Sequence, residues 1–252
     1  MTPILVLDIE TVPDGDLARQ VAGDPDLEEG EALVRVGAVR AGEEGAFVRK
    51  PMYHRVAVIG VAAVEADGAV RSLRALAQAS ERENLAAFWT GYHRYVGEGA
   101  RVVTWNGRSF DLPVLVQRAL HHGVSTRAWW ASDRGRYRHR HHLDLMDVMC
   151  DYRASAPVSQ HEAAVLMGLP GKLGVEGADV RSLWEAGRVQ EVAAYCACDV
   201  ATLALLYAAL GPDAGWCTGE EAARLREGVR QRMAAWGDPL TERFVAALDG
   251  GG

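Results

Sequence analysis

Lysine is almost missing from this chain. Lys50 and Lys172 are the only two, so arginine supplies nearly all of the 27 basic side chains. Positive charge is also in deficit. The 34 acidic residues leave a formal net charge of -7, which excludes a protein that coats nucleic acid by bulk electrostatics. Any polyanion site must be local. Cysteine is scarce too, and Cys150, Cys196, Cys198 and Cys217 form no paired C-x-x-C motif. That argues against a zinc site or a disulfide framework and leaves reduced thiols as the expectation. The N-terminal apolar run has no basic leader and is too short for a signal peptide, and no stretch approaches the length of a membrane span. These absences point to a cytoplasmic protein with no membrane partner.

What is present begins at residue 4. Ile4-Leu5-Val6-Leu7 is a run of apolar β-formers that reads as a central strand buried on both faces, and it leads into Asp8-Ile9-Glu10. Side chains two apart on a strand share a face, so Asp8 and Glu10 project together from its C-terminal end. Two carboxylates held side by side repel, and burial penalises both. The pair needs a cation.

Val12-Pro13-Asp14-Gly15 is expected to break the strand. The segment to residue 50 is polar and acidic, with a helix expected over 31–40 and little core material, so it reads as an insertion or flap. Further strands are expected over 55–64 and 69–76, joined as a hairpin by Asp67-Gly68, and over 101–105 and 141–145. Helices are expected over 81–96, from near Ser109, and over 145–152, 159–167, 179–186 and 189–210. The capping box Thr218-x-x-Glu221 opens another, and a short helix follows Asp238-Pro239. Residues 129–142 read as irregular and basic, and 168–174 as a loop. A meander, then helix–strand–helix–strand, then helices is an α/β layered pattern with a mixed sheet. The expected division is a domain over 1–210 with a helical extension over 211–252.

Three further acidic residues sit where they are costly. Asp111 closes Trp105-Asn-Gly-Arg-Ser-Phe-Asp111, just after the fourth strand, at a helix start where an aspartate also serves free amides and the macrodipole. Asp199 lies inside the long helix among Val200, Leu203 and Leu206, although aspartate is a poor helix former. Tyr195 precedes it by four residues and so shares its face. Asp144, in His142-Leu-Asp-Leu145, reads as structural support. Oxygen ligands without histidine or cysteine suit a hard cation, Mg²⁺ or Mn²⁺. Two such ions about 3.5–4 Å apart can activate water and stabilise the leaving oxygen of a phosphodiester.

In this order, over residues 1–210, the motifs resemble the proofreading-type (DnaQ-like, DEDD) 3′–5′ exonucleases of the ribonuclease H-like superfamily. Asp8-x-Glu10 is similar to their first motif, Asn106 to Phe110-Asp111 to the second, and Tyr195-x-x-x-Asp199 to the third. Tyrosine in place of histidine marks the DEDDy branch, which includes the exonuclease domains of family B DNA polymerases. Asp-Ile-Glu-Thr-Val-Pro, Trp-Asn-Gly-Arg-Ser-Phe-Asp-Leu-Pro, His-Leu-Asp-Leu and Gly-Leu-Pro-Gly-Lys make the likeness closer to predicted stand-alone exonucleases related to those domains. The chain departs from that pattern at Ala197, where a glutamate is usual, and at Gln160, where a leucine usually follows the serine.

The resemblance implies an α/β, ribonuclease H-like three-layer fold with a mixed five-stranded sheet flanked by helices. It also implies two divalent ions, Mg²⁺ or Mn²⁺. Asp8, Glu10 and Asp199 would hold the ion carrying the nucleophilic water. Asp8 would bridge to the second ion, which Asp111 would hold largely through water, and the Tyr195 hydroxyl would orient the attacking water. The implied partner is single-stranded nucleic acid with a free 3′ end, and the product a nucleoside 5′-monophosphate. DNA is the expected substrate, with RNA left open. Two other functions stay open as well: a non-catalytic nucleic-acid-binding module on the same fold, and a metal-dependent hydrolase of dinucleotides or short oligonucleotides.

Nucleic-acid contacts leave weaker marks. Arg134, Arg136, Arg138 and Arg140 alternate, so in an extended segment they would share one face as a phosphate-tracking strip; a solvated, charge-protected edge reads equally well. Asn106 and Phe110 belong to the second motif, and Phe110 and Trp105 offer faces for a terminal base. Lys172 is not in a P-loop, since the earlier glycine and the following Ser/Thr are missing, but it is a candidate substrate contact.

Overall fold

The computed structural model describes residues 1–42, 47–173 and 177–250. Gly174 of the expected loop and residues 43–46 of the expected insertion lie outside the described residues. Strands β1 (Ile4–Pro13), β2 (His54–Val64), β3 (Val70–Leu76), β4 (Arg101–Thr104) and β5 (His142–Asp144) form one sheet in the order β3–β2–β1–β4–β5. β1 and β2, and β2 and β3, pair antiparallel, whereas β1–β4 and β4–β5 are parallel. The sheet is mixed and five-stranded, as expected. The expected break at Val12 is absent. After a bulge between Glu10 and Thr11, Val12 pairs with Arg55 and Pro13 with His54. Proline is tolerated because β4 pairs β1 only as far as Val6, which leaves this end of β1 an edge strand.

Helices α1 (Gly15–Ala22), α2 (Glu29–Arg35), α3 (Glu81–Gly97), α4 (Asp111–His121), α5 (Arg127–Ala131), α6 (Leu145–Met149), α7 (Gln160–Leu166), α8 (Gly177–Glu185), α9 (Val189–Leu210), α10 (Gly219–Ala234) and α11 (Pro239–Gly250) complete the regular structure. Alternation along β1 decides what each face packs against. Leu5, Leu7 and Ile9 join Ile59, Leu85, Phe88 and Leu112 in the core under α3 and α4. Ile4 and Val6 join Val103, Val200, Leu203 and Leu206 in the core under α9. Asp8 and Glu10 continue the second series, so both face α9.

α9 itself is long and apolar enough to cross a bilayer, contrary to the expectation that no stretch would be. Protein covers it instead: every residue from Val192 to Ala208 is buried except Asp199. Its close seat on the sheet depends on Gly60, which pairs with Asp8 across the β1–β2 ladder. A Cβ at Gly60 would lie 2.6 Å from Val200 Cγ2 and 2.7 Å from Cys196 Sγ. α10 and α11 add Leu225, Val229, Met233 and Phe244 to the same core.

Several local expectations are overturned by tertiary contacts. The expected helix over 145–152 ends at Met149, and Asp151, Tyr152 and Arg153 take positive φ values of 46°, 56° and 76°. The Tyr152 ring is held edge-on to Tyr137 at 4.7 Å and its hydroxyl bonds His139, contacts that outrank helix propensity. The last residues of α5 (129–131) reach into the basic segment expected to be irregular.

The acidic segment after β1 is also more ordered than a flap. α1 opens on Asp14, whose Oδ1 accepts from the Leu17 amide at 3.0 Å. Ala18, Leu27, Ala32, Leu33, Ala38, Val39, Val48 and Tyr53 form a small core of its own, which corrects the reading of little core material. One arginine ties that core to the body. Arg118 of α4, 1% exposed, donates to Glu81 at the start of α3 (2.8 and 2.6 Å) and to the Met52 carbonyl (3.0 Å), and it pairs with Asp14 at 2.7 Å. Arg118→Met would leave the buried Glu81 with only His122 and Asp14 with only Arg55 beside it, and we expect a loss of about 3 kcal/mol. Urea titration of both proteins measures it; a change below about 1 kcal/mol would contradict this role for Arg118.

Candidate active site

β1 delivers two carboxylates toward α9, Asp8 half-buried and Glu10 buried. A ligand atom from each lies within 4.8 Å of the other and of Cys196 Sγ. Asp111 and Asp199 stand outside that set, yet both act on it electrostatically. Burial, then the charges of Asp111, Glu10 and Asp199, push the Asp8 carboxyl well above the usual aspartate range. Burial and the charges of Asp199 and Asp111 do the same to Glu10. The expected four carboxylates are thus electrostatically coupled, with Cys196 as an addition.

Nothing in the cysteine spacing of the sequence signals that Cys196 lies against Asp8. Its Sγ sits 3.7 Å from the Asp8 carbonyl oxygen and 3.8 Å from Oδ2. Burial raises its thiol, and Asp8, Glu10 and Asp199 raise it further, so it stays protonated and donates.

Asp111 reaches the site because β4 stops short. Its carboxylate accepts from the backbone amide of Ile9 and from its own, while burial and the neighbouring Asp144 charge push it up to about 7. The turn that carries it is built by Asp144. The Asp144 carboxylate accepts from the amides of Asn106 (2.8 Å) and Arg108 (2.9 Å), which holds Asn106 at a φ of 58°, a left-handed geometry that asparagine tolerates. Gly107 follows, where a Cβ would come 2.5 Å from Thr104 Cβ. The Ser109 and Phe110 amides then close on the Asn106 carbonyl at 3.0 and 3.2 Å. Asp144 therefore has the supporting place expected of it.

Tyr195 and Asp199 lie one turn apart on α9, and the tyrosine hydroxyl hydrogen-bonds the Asp199 carboxylate. Burial raises Asp199 to about 6, against the lowering effects of Tyr195 and Lys172. Burial and the charges of Asp199, Glu10 and Asp8 push the Tyr195 phenol far above its ordinary range. Beside them opens a cavity of about 330 Å³ whose walls include Asn106, Gln160, Lys172, Tyr195 and Asp199. Gln160 donates to the Asp199 backbone carbonyl at 2.8 Å, a role the sequence pattern did not suggest. Asn106 Oδ1 is buried with no hydrogen-bond partner among the described residues. Ala197, where a glutamate is usual, is fully buried in the core.

The arginine strip does not form. Residues 133–141 run through turns, with the Arg138 amide bonded to the Gly135 carbonyl. Nearby groups take most of the guanidinium groups: Arg136 pairs with Asp147 (2.6 Å), Arg138 with Asp133 (3.1 Å), and Arg134 lies over the Trp129 and Trp130 rings at 5.3 and 4.9 Å. Arg140 is exposed. The basic charge that reaches the carboxylates is that of Lys172, which lowers Glu10 and Asp199; Arg108 lies 3.5 Å from Asp147, and Arg153 donates to the Ser109 hydroxyl at 3.2 Å.

At the start of β2, Phe110 packs with His54 and Phe47, and of the three only Phe110 stands out in the sequence.

A family model described as a predicted 3′–5′ exonuclease related to the exonuclease domain of PolB matches residues 45–248. That span contains Asp111, Tyr195 and Asp199 and begins after β1. Among solved structures, the family B DNA polymerase from the hyperthermophilic archaeon Pyrobaculum calidifontis is similar, with a TM-score of 0.51 and 17% identity. The match covers 93% of this chain and 29% of the polymerase chain, so the chain spans under a third of that protein's length. At this identity the likeness is one of fold, and it extends to the ribonuclease H-like arrangement of the sheet. No curated protein matches the chain.

The carboxylate shifts have a definite sign. Asp199 and Asp111 hold their protons to about 6 and 7 when folded, against about 3.9 when unfolded. Their contribution to stability is full below pH ~4 and is lost as pH rises through about 6–7. We therefore expect Asp111→Asn to raise the melting temperature of metal-free protein at pH 8 by ~2–4 °C, on the order of 1 kcal/mol, and to do little at pH 4. Millimolar Mg²⁺ or Mn²⁺ should raise the wild-type melting temperature, more at pH 8 than at pH 5, because protons compete for the same oxygens. Thermal scans at the three pH values check both; no metal-induced shift at pH 8 contradicts a preformed site.

Proposed function

The chain belongs to the family of predicted 3′–5′ exonucleases related to the exonuclease domain of PolB, and from that premise we propose a metal-dependent enzyme that removes nucleoside 5′-monophosphates from the 3′ end of single-stranded nucleic acid, DNA foremost. The observation that carries this reading is the electrostatic coupling of Asp8, Glu10, Asp111 and Asp199, each raised by burial, beside a buried tyrosine.

The donor set fits a pair of hard divalent ions, Mg²⁺ or Mn²⁺: the carboxylate oxygens are numerous, crowded and short of positive charge. Asp8, Glu10 and Asp199 would hold one ion, and Asp8 and Asp111 the other. When bound, such ions supply Lewis acidity that eases deprotonation of water and offsets charge on the phosphodiester.

The remaining work falls to side chains. In the metal-free protein burial and the neighbouring carboxylates disfavour the Tyr195 phenolate, and the hydroxyl, already hydrogen-bonded to Asp199, is placed to orient water as a donor. Gln160, through its bond to the Asp199 carbonyl, holds that turn of α9 in place. Lys172 offsets the negative charge of Glu10 and Asp199, and Asn106 lines the cavity beside Tyr195 and Asp199, where it can contact substrate. Arg153, exposed beside Ser109, supplies positive charge for backbone phosphates.

Purified protein with Mg²⁺ or Mn²⁺ should shorten a 5′-labelled single-stranded oligonucleotide stepwise from its 3′ end, with DNA and RNA run in parallel. Asp199→Ala should abolish the ladder, and Tyr195→Phe, which removes one preorganised donor, should slow it by about 10²–10³-fold without loss of the fold by circular dichroism. Binding without shortening of either polymer would contradict the enzyme reading. Turnover confined to dinucleotides would redirect it to a hydrolase of short oligonucleotides.

A further inference from the structure

The cavity beside Tyr195 and Asp199 has one wall that the carboxylates do not build. Gln160 and His161, from the first turn of α7, and Gly171 and Lys172, from the loop that follows this helix, belong to it. α7 offers a fixed base. Ser159 and Glu162 close a reciprocal capping box at its start, with bonds of 2.7 and 3.1 Å, and Ala163 and Ala164 are buried in the core shared with α9. Gln160 ties the same turn to the Asp199 carbonyl.

The loop after α7 is held by its own packing as far as Pro170. Gly168 takes a φ of 66°, the Leu169 amide returns to the Ala164 carbonyl at 2.9 Å, and Leu169 and Pro170 are buried. Lys172 is exposed, and a lysine has a flexible four-carbon stem whose ordering costs entropy. Its charge nonetheless reaches the carboxylates: against burial, which raises both groups, it lowers Glu10 and Asp199. An exposed lysine that acts on buried carboxylates needs its backbone held near them.

His161 supplies that hold. The Lys172 amide donates to His161 Nδ1 at 3.1 Å. A backbone amide only donates, so Nδ1 is the unprotonated nitrogen and the ring proton sits on Nε2. The ring also lies against Gly171, where a Cβ would come 2.2 Å from Nδ1 and 2.6 Å from Cε1. The missing side chain at Gly171 is what lets the ring reach the next amide.

We propose that His161 is a positioning residue: by accepting the Lys172 amide it holds that lysine at the cavity shared with Tyr195 and Asp199. The consequence for turnover rests on the exonuclease reading. His161 acts through Lys172 and takes no part in the chemistry itself. Gln160 and His161 thus give neighbouring positions of one turn two different duties, one toward the α9 backbone and one toward the lysine loop.

Two readouts test this. In metal-free protein, deuterium exchange of the Lys172 amide, followed by NMR, should be about 3–10-fold faster in His161→Ala than in wild type, the worth of one hydrogen bond. His161→Asn, whose Oδ1 takes the place of Nδ1, should restore the wild-type rate, whereas His161→Gln, whose amide lies one bond further out, should not. Gly171→Ala should match His161→Ala, because the added methyl displaces the ring. With Mg²⁺ and single-stranded DNA, His161→Ala should lower kcat/KM by about the same 3–10-fold, with the same rescue, and should cost nothing further in protein already carrying Lys172→Ala. Unchanged exchange of the Lys172 amide in His161→Ala, or a full His161→Ala loss in the Lys172→Ala background, would overturn the positioning role and leave the exonuclease reading standing. The expected exchange rates with no shortening of DNA by wild type would sink the exonuclease reading and keep the hold on Lys172.

Discussion

Mutual repulsion among buried carboxylates is the constraint on which the site depends. Asp8, Glu10, Asp111 and Asp199 share a region where burial already disfavours their charged forms, and several of them raise one another. No fold gains stability from such an arrangement without a compensating cation. Lys172 lowers two of the four, which is too little positive charge for so many oxygens. The deficit is what makes hard divalent ions the natural complement, and it is where structure turns into function.

The surrounding structure tolerates this strain through small adjustments. Gly60 has no side chain where one would strike Cys196 and Val200, so α9 lies close enough to bring Asp199 to the carboxylates of β1. β4 ends early, and the Asp111 carboxylate takes up the free amide of Ile9. Asp144 spends its charge on the amides of Asn106 and Arg108, fixing the turn that aims Asp111. The large apolar surface of α9 anchors the whole against the sheet. Each of these is a packing or hydrogen-bonding fact, and together they determine the geometry of the acidic cluster.

Much of this was legible in the sequence because it follows from local periodicity. The i, i+2 relation of Asp8 and Glu10 and the i, i+4 relation of Tyr195 and Asp199 survive any tertiary arrangement. The mixed sheet followed from the order of the elements. What depends on register or long-range contact was not legible. Gly60 is an ordinary strand glycine until the β1–β2 ladder sets it opposite Asp8. The alternating arginines over 134–140 promised a strip, but alternation means a shared face only in an extended chain, and Asp133 and Asp147 take Arg138 and Arg136 in turns instead. The segment after β1 hid its core because the apolar residues are mostly small and scattered. Arg118, buried between carboxylates from two distant segments, reads as a surface charge in sequence alone.

The most direct measurement is a titration of metal-free protein with Mn²⁺, following the free ion by electron paramagnetic resonance. Wild type should bind two Mn²⁺ ions per chain, and Asp8→Asn should markedly weaken both, since Asp8 would serve both positions. An absence of saturable binding in the millimolar range, or binding indifferent to Asp8, would contradict that assignment.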